Sequence, residues 1–295
     1  MNCQCNKPGN PPELAPGDPG GGCKEFADNM RRRLRFVTSA CPGDYFKTLL
    51  ESQAFFTYHC WRMILHKLIA RHVKHGDDAG FYELQALDAI RWIEQSGVAL
   101  NERTSALDLG CGHGVFGGAL VRKGCKVTFA DEENLLLPEI ANAPFRKINI
   151  DLDDLSSLGQ YDLVICSNVL EHLAKPARFI DSVQTLLAPQ GKLYLSWTNW
   201  LSLWGGHEFS PFHYLGARRG HLLYDKLVAR KRKHTPFQNL YPTTIGGILK
   251  LIRQNPKLQI LRVAPRYYTE LSFLMQLPFV REFVAWNCAI LIGNK

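Results

Sequence analysis

An apolar run, Ala106-Leu107-Asp108-Leu109, stops on Gly110-Cys111-Gly112-His113-Gly114, and a helical stretch from Phe116 to Lys123 opens just beyond it. This junction of strand, glycine loop and helix constrains the fold more than any other stretch of the chain. Glycines let the backbone turn sharply and bring N–H groups against a ligand, with a helix N-terminus behind them. Further apolar runs follow at Lys126–Ala130, Arg146–Ile150, Leu163–Cys166, Lys192–Ser196, Leu258–Val263 and Phe283–Ile292. Helical patterns at Ala177–Leu187 and Thr243–Gln254, the latter capped by Thr243 or Thr244, separate some of them. Strand–helix–strand alternation predicts an α/β fold with a parallel sheet and right-handed crossovers.

The loop resists the two commonest phosphate-binding readings. A dinucleotide fingerprint wants a third glycine where Val115 stands, and a pyrophosphate beside Asp108 would be repelled. No Gly-Lys-Ser/Thr follows, which excludes a Walker loop. A carboxylate at the end of the first strand suits a cationic amino-acid group instead. Asp131 ends the second strand, where a carboxylate accepts from ribose hydroxyls, Asp151 ends the third, and Asn168 follows the fourth.

These residues resemble those of class I S-adenosylmethionine-dependent methyltransferases, in particular the broad group that includes ubiquinone-type O-methyltransferases. Asp108-Leu109-Gly110-Cys111-Gly112-His113-Gly114 resembles their first motif. Tyr161 to Leu173, with Asn168-Val169-Leu170-Glu171-His172, resembles their fourth-strand motif, and Leu186-Leu187-Ala188-Pro189-Gln190-Gly191-Lys192-Leu193 their approach to the fifth strand. The resemblance implies a Rossmann-like core with a seven-stranded, mainly parallel sheet, and S-adenosyl-L-methionine as cofactor. Gly110, Cys111, Gly112 and Gly114 would pack against its methionine and ribose. Asp108 would lie near the ammonium, Asp131 with Glu132 beside it at the ribose, Asp151 and Leu152 at the adenine, and Asn168 beneath the cofactor. Asp153 and Asp154 leave open which carboxylate reaches the base.

For the acceptor, the motifs are poor guides. Methyl transfer to an alcohol or amine requires alignment and removal of a proton. His172 and Glu171, at the C-terminal end of the fourth strand, are candidates for the base, with a structural role in lining the pocket as the competing reading. Beyond the fifth strand, Trp197 to Tyr214 is dense in aromatic rings. Trp200, Trp204, His207, Glu208, His213 and Tyr214 are expected to line an acceptor-binding lid; an aromatic cluster packing the loop on the sheet is the alternative. The spacing of His207, Glu208 and His213 is not the helical one of zinc proteases, and Pro211 breaks any helix across it, so no metal is expected.

The formal net charge of +8 is unevenly spread. Residues 101–200 hold nine basic and twelve acidic side chains, whereas 201–257 hold ten and two. The run including Arg218, Arg219, Lys226, Arg230, Lys231, Arg232 and Lys233 reads as a solvated helix end or as the seat of an anionic acceptor. The apolar segment Leu271–Val280 reads as a lid helix packed on the N-terminal helices, or as a segment dipping into a membrane beside that basic patch. The partners expected are therefore a small-molecule or lipid-linked acceptor, anionic in the second reading, and a peripheral membrane contact; nucleic acid is not expected. A cofactor-binding, non-catalytic scaffold is the rival from another class.

The expected organisation is a Pro/Gly-rich tail over 1–22, a helical extension over 23–100, the core over 101–200, the lid over 201–240, and a C-terminal helix with the last two strands over 241–295. In the extension, Leu84, Leu87, Ile90 and Ile93 are read as one helix face. Cys3, Cys5 and Cys23 do not have a zinc-ribbon spacing. Free cysteines at Cys111, Cys125 and Cys166 suit a reducing, cytoplasmic compartment.

Overall fold

The computed structural model describes residues 64–76, 78–228 and 232–295. The proposed tail, its cysteines, the helical pattern before residue 64, and Arg230 and Lys231 lie outside them. Strands β1 (Ser105–Leu109), β2 (Lys126–Asp131), β3 (Phe145–Lys147), β4 (Tyr161–Ser167), β5 (Leu187–Thr198), β6 (Leu258–Pro265) and β7 (Asn287–Asn294) form one sheet in the order β3-β2-β1-β4-β5-β7-β6. All neighbours run parallel except β7, which is antiparallel to both β5 and β6. This is the seven-stranded, mainly parallel, Rossmann-like sheet that the resemblance implies.

Alternation along the central strands sends successive side chains to opposite faces. Val164, Cys166, Leu193 and Leu195 pack beneath Phe179 and Ile180 of α4 (Pro176–Val183) and Ile248 and Ile252 of α6 (Ile245–Gln254). Leu163, Ile165, Tyr194 and Leu291 pack beneath α2 (Ala79–Gln95) and α3 (Val115–Arg122). Both faces are thus covered, as a parallel sheet requires. A shorter helix, α1 (Leu65–His75), sets Leu68 against Tyr267 and Tyr268, beside Leu271. Part of the Leu271–Val280 segment therefore does pack on the N-terminal helices, while Phe273, Leu277 and Phe279 are exposed.

Three expectations need correction. In α2, Leu87 is 51% exposed, and the buried face is Gln85, Ala86, Asp88, Ala89, Ile90, Trp92 and Ile93. A strict three-residue spacing precesses by about 60° per step at 100° per residue, so four such positions cannot share one face. Phe283 and Val284 belong to α7 (Pro278–Val284), not to the last strand, which begins at Asn287. Pro278 sets the first helical turn, and Glu282 accepts from Ile245 N (3.0 Å) and Gly246 N (2.7 Å), docking α7 on the start of α6. β3 is shorter than its apolar run and ends at Lys147.

Between β5 and α6 the chain makes an excursion that holds α5 (Ala217–Leu227) and a small core of Trp200, Phe209, Ala217, Tyr224 and Leu240. Its two ends meet: Trp200 N donates to Thr243 O at 3.0 Å. Thr244 Oγ1 then caps α6 by accepting from Gly247 N. Cys111, Cys125, Cys166 and Cys288 are free, buried thiols. Among the described residues, no helix is long and apolar enough to cross a membrane.

Candidate active site

The glycine loop leaves β1 with Gly110, Gly112 and Gly114 at φ of 71°, 51° and 75°. These are left-handed conformations that side chains rarely adopt. A Cβ on Gly110 would lie 2.5 Å from Val169, and one on Gly114 2.6 Å from Leu136 and Ile140, whereas one on Gly112 would meet nothing within 4 Å. The loop is therefore packed at its flanks and open at its centre, where its backbone faces free space.

Two carboxylates stand beneath it. Asp108 is buried, and its Oδ2 accepts from Gly117 N in the first turn of α3 at 2.7 Å. Burial pushes its carboxyl up to about 7, against the Gly117 hydrogen bond and with a smaller contribution from the charge of Asp131. At the end of β2, Asp131 accepts from Gly112 N and Glu132 N, both at 2.7 Å, and so ties the open part of the loop to the second strand. Cys111 is buried, and desolvation pushes its thiol well up, so it acts as packing.

Other predicted cofactor residues are already engaged. Asp151 accepts from Ala174 N (2.8 Å) and Lys175 N (3.1 Å), while Arg178 donates to the carbonyls of Asp151, Leu152 and Asp153. Both oxygens of Asp151 thus knit the loop after β3 to the start of α4. Leu152 is exposed, and Glu132 accepts from Asn149 Nδ2 at 2.6 Å. Asn168 has φ of 58°, and its side chain donates to Gln85 and accepts from Arg266 (2.9 Å) and Asn287 (3.3 Å).

Sequence reasoning missed Arg266. It is 1% exposed, with its guanidinium over the rings of Phe116 and Tyr267. It follows β6 with no motif around it, and only an unpaired Arg beside a strand end could have signalled it. It clamps the turn after β4, so that Asn168 holds its left-handed backbone.

On the other side of that turn, the structure gathers three imidazoles. Ligand-competent atoms of His172, His207 and His234 lie within 4.8 Å of one another. The rings of His172 and His234 stack at 5.2 Å, and His207 lies 5.6 and 4.6 Å from them. His172 Nδ1 donates to Asn239 O at 2.6 Å, and His234 Nδ1 to Glu208 Oε2 at 2.8 Å. A carbonyl and a carboxylate can only accept, so in the neutral rings Nε2 carries the lone pair. His207 Nδ1 is buried without a partner, and burial lowers the ring's pKa to about 4, against the charge of Glu171, so it is neutral at pH 7. Although burial opposes it, the His234 hydrogen bond helps hold the Glu208 carboxyl below its usual range.

Glu171 is 2% exposed; Oε1 accepts from Thr198 N at 2.9 Å and Oε2 has no partner. It supports the cluster from within and does not reach the surface as a base. Two of the expected acceptor residues are internal to the excursion. Trp200 packs on Phe209, and His213 is buried against Trp200 and Tyr214, with Nε2 donating to Ser202 O at 3.0 Å. They fill the excursion's core because the loop is long enough to need one. Trp204, 49% exposed, stacks on Trp286 at 4.9 Å, and Tyr214 is exposed with its hydroxyl donating to Leu201 O.

The family described as "Methyltransferase domain" matches residues 81–237, more than half of the chain. The chain belongs to that family. It is 28% identical over 236 residues to an uncharacterized methyltransferase of Mycobacteroides abscessus, spanning 73% of this chain and 87% of that one. It is 27% identical over 239 residues to another from Mycolicibacterium gilvum, spanning 77% and 92%. Among solved structures, an S-adenosylmethionine-dependent methyltransferase from Mesorhizobium loti covers 70% of this chain and 98% of its own at 16% identity, with a TM-score of 0.48. The methyltransferase is an enzyme with S-adenosylmethionine as cofactor. Its loop fits that group: the space over Gly112 is open and two carboxylates lie below, a match for a ligand with a cationic ammonium and sulfonium.

Proposed function

We propose that this methyltransferase moves the methyl group to a hydroxyl of a small-molecule, glycan or lipid-linked acceptor. When bound, S-adenosylmethionine supplies an electrophilic methyl on sulfur. Gly110, Gly112 and Gly114 would cradle its methionine and ribose, Asp108 would hold the ammonium, and Asp131 with Glu132 the ribose. Asp151 and Leu152 shape the adenine side through the backbone, and Asn168 the floor. The acceptor hydroxyl would give its proton to the imidazole cluster as its oxygen takes the methyl group from sulfur.

The observation that carries this reading is that cluster. A hydroxyl needs help in losing its proton, and His172, His207 and His234 bring lone pairs together at the C-terminal edge of the sheet, where open α/β folds bind ligands. Val169, against Gly110, is three residues before His172, so the cluster adjoins the glycine loop. The exposed Trp204–Trp286 stack and Tyr214 offer flat faces for a sugar or conjugated ring, and the exposed Phe273, Leu277 and Phe279 suit an acceptor held at a membrane surface. Transfer of labelled methyl to cell extract fractionated into lipids, glycans, small metabolites, RNA and protein tests the proposal. Label as a methyl ether supports it; label as a methyl ester or on nitrogen, or none, overturns it.

A further inference from the structure

We propose that His172, His207 and His234 form a binding site for a divalent transition-metal ion of the zinc type. Three imidazoles whose ligand atoms lie within 4.8 Å of one another match the three-histidine set of catalytic zinc sites, which keep a fourth position open. The groups that would orient such ligands are already in place. In metal sites the ligating histidine donates its other ring N–H to a carbonyl or carboxylate, fixing the tautomer and aiming the free nitrogen. His172 does this to Asn239 O and His234 to Glu208 Oε2, with Glu208 held in turn by Lys233 N at 3.2 Å. The third ring, His207, has a buried Nδ1 with no hydrogen-bond partner, which an ion would satisfy.

The ligand atoms lie within 4.8 Å, while a tetrahedral ion with bonds of about 2.0–2.1 Å sets its ligands roughly 3.4 Å apart. Binding would require the three rings to rotate inward from their present positions. Glu171, the residue before His172, is buried with its Oε2 also unpartnered. The open position would take an oxygen ligand. That consequence, an acceptor hydroxyl bound to the ion and so losing its proton near neutral pH, rests on the hydroxyl reading above; the site itself does not.

The test is titration of the chelator-treated full chain with Co²⁺ followed by visible absorption, with Zn²⁺ as competitor. One equivalent should bind with the ligand-field bands of a four-coordinate site, and Zn²⁺ should displace it. His207→Asn and His234→Asn should each weaken binding at least 100-fold, and Glu208→Gln, which alters no ligand, about 10–100-fold. S-adenosylmethionine binding, measured by calorimetry on the same variants, shows that the fold persists and separates failure here from failure of the methyl-transfer reading. No stoichiometric Co²⁺ binding, or binding unchanged in Glu208→Gln and either histidine variant, overturns the proposal.

Discussion

Replacing Asp108 by Asn keeps an oxygen to accept from Gly117 N and removes only the charge. Burial raises the Asp108 carboxyl from 3.8 to about 7, so the native state keeps a proton that the unfolded chain has released. The sign follows from proton linkage. The native state binds more protons between the two values, so stability falls as pH rises from about 4 to about 7 and levels off above that. Each unit is worth about 1.36 kcal/mol, which gives a loss of roughly 2–3 kcal/mol between about pH 5 and pH 8. At about 2–4 °C per kcal/mol for a body of this size, the ligand-free protein should lose roughly 5–10 °C of melting temperature relative to Asp108→Asn over that interval. Calorimetric or fluorescence melting of both proteins at the two pH values measures it, and the difference cancels the other titrating groups. A gap between the two proteins that stays constant with pH would refute the assignment of a buried, proton-holding Asp108.

Gly112→Ala should cost about 1 kcal/mol of stability from its left-handed backbone, yet weaken S-adenosylmethionine at least tenfold in calorimetry, because the added methyl enters the open space over the loop. Arg266→Met should destabilise by about 3 kcal/mol in urea unfolding, since Asn168 and Gln85 lose their buried partner. Trp204→Ala should shift stability by less than about 1.5 kcal/mol, while raising the acceptor KM with little change in kcat.

The glycine turn and the strand end beside it were legible because their chemistry is local. A strand that must end on a tight turn needs glycines there, and Gly110 to Gly114 announce themselves without any partner in view. Asp131 was legible for the same reason, as the last residue of an apolar run. The acceptor half was legible only as composition. The aromatic density after β5 marks a segment with its own interior, but which rings face inward depends on packing, so Trp200 and His213 went to the core and Trp204 to the surface. His234 stands 62 residues from His172 in a basic stretch, and nothing in its neighbours predicts that Glu208 orients it. Nor does the sequence around Asp151 announce that Ala174 N, 23 residues on, donates to it.

The hydrogen bond between Trp200 N and Thr243 O has an evolutionary meaning. A segment whose ends meet can be exchanged for another of different length without moving the strands it interrupts, because closing such a loop costs little more as it lengthens. The glycine loop and its carboxylates lie wholly before this point in the chain, and His207, Glu208 and His234 lie wholly within the exchanged segment. A graft of the excursion between Trp200 and Thr243 into a related methyltransferase would carry acceptor preference with it and leave the donor site as it was. Relatives that share the first half of this chain are thus free to diverge in what they methylate.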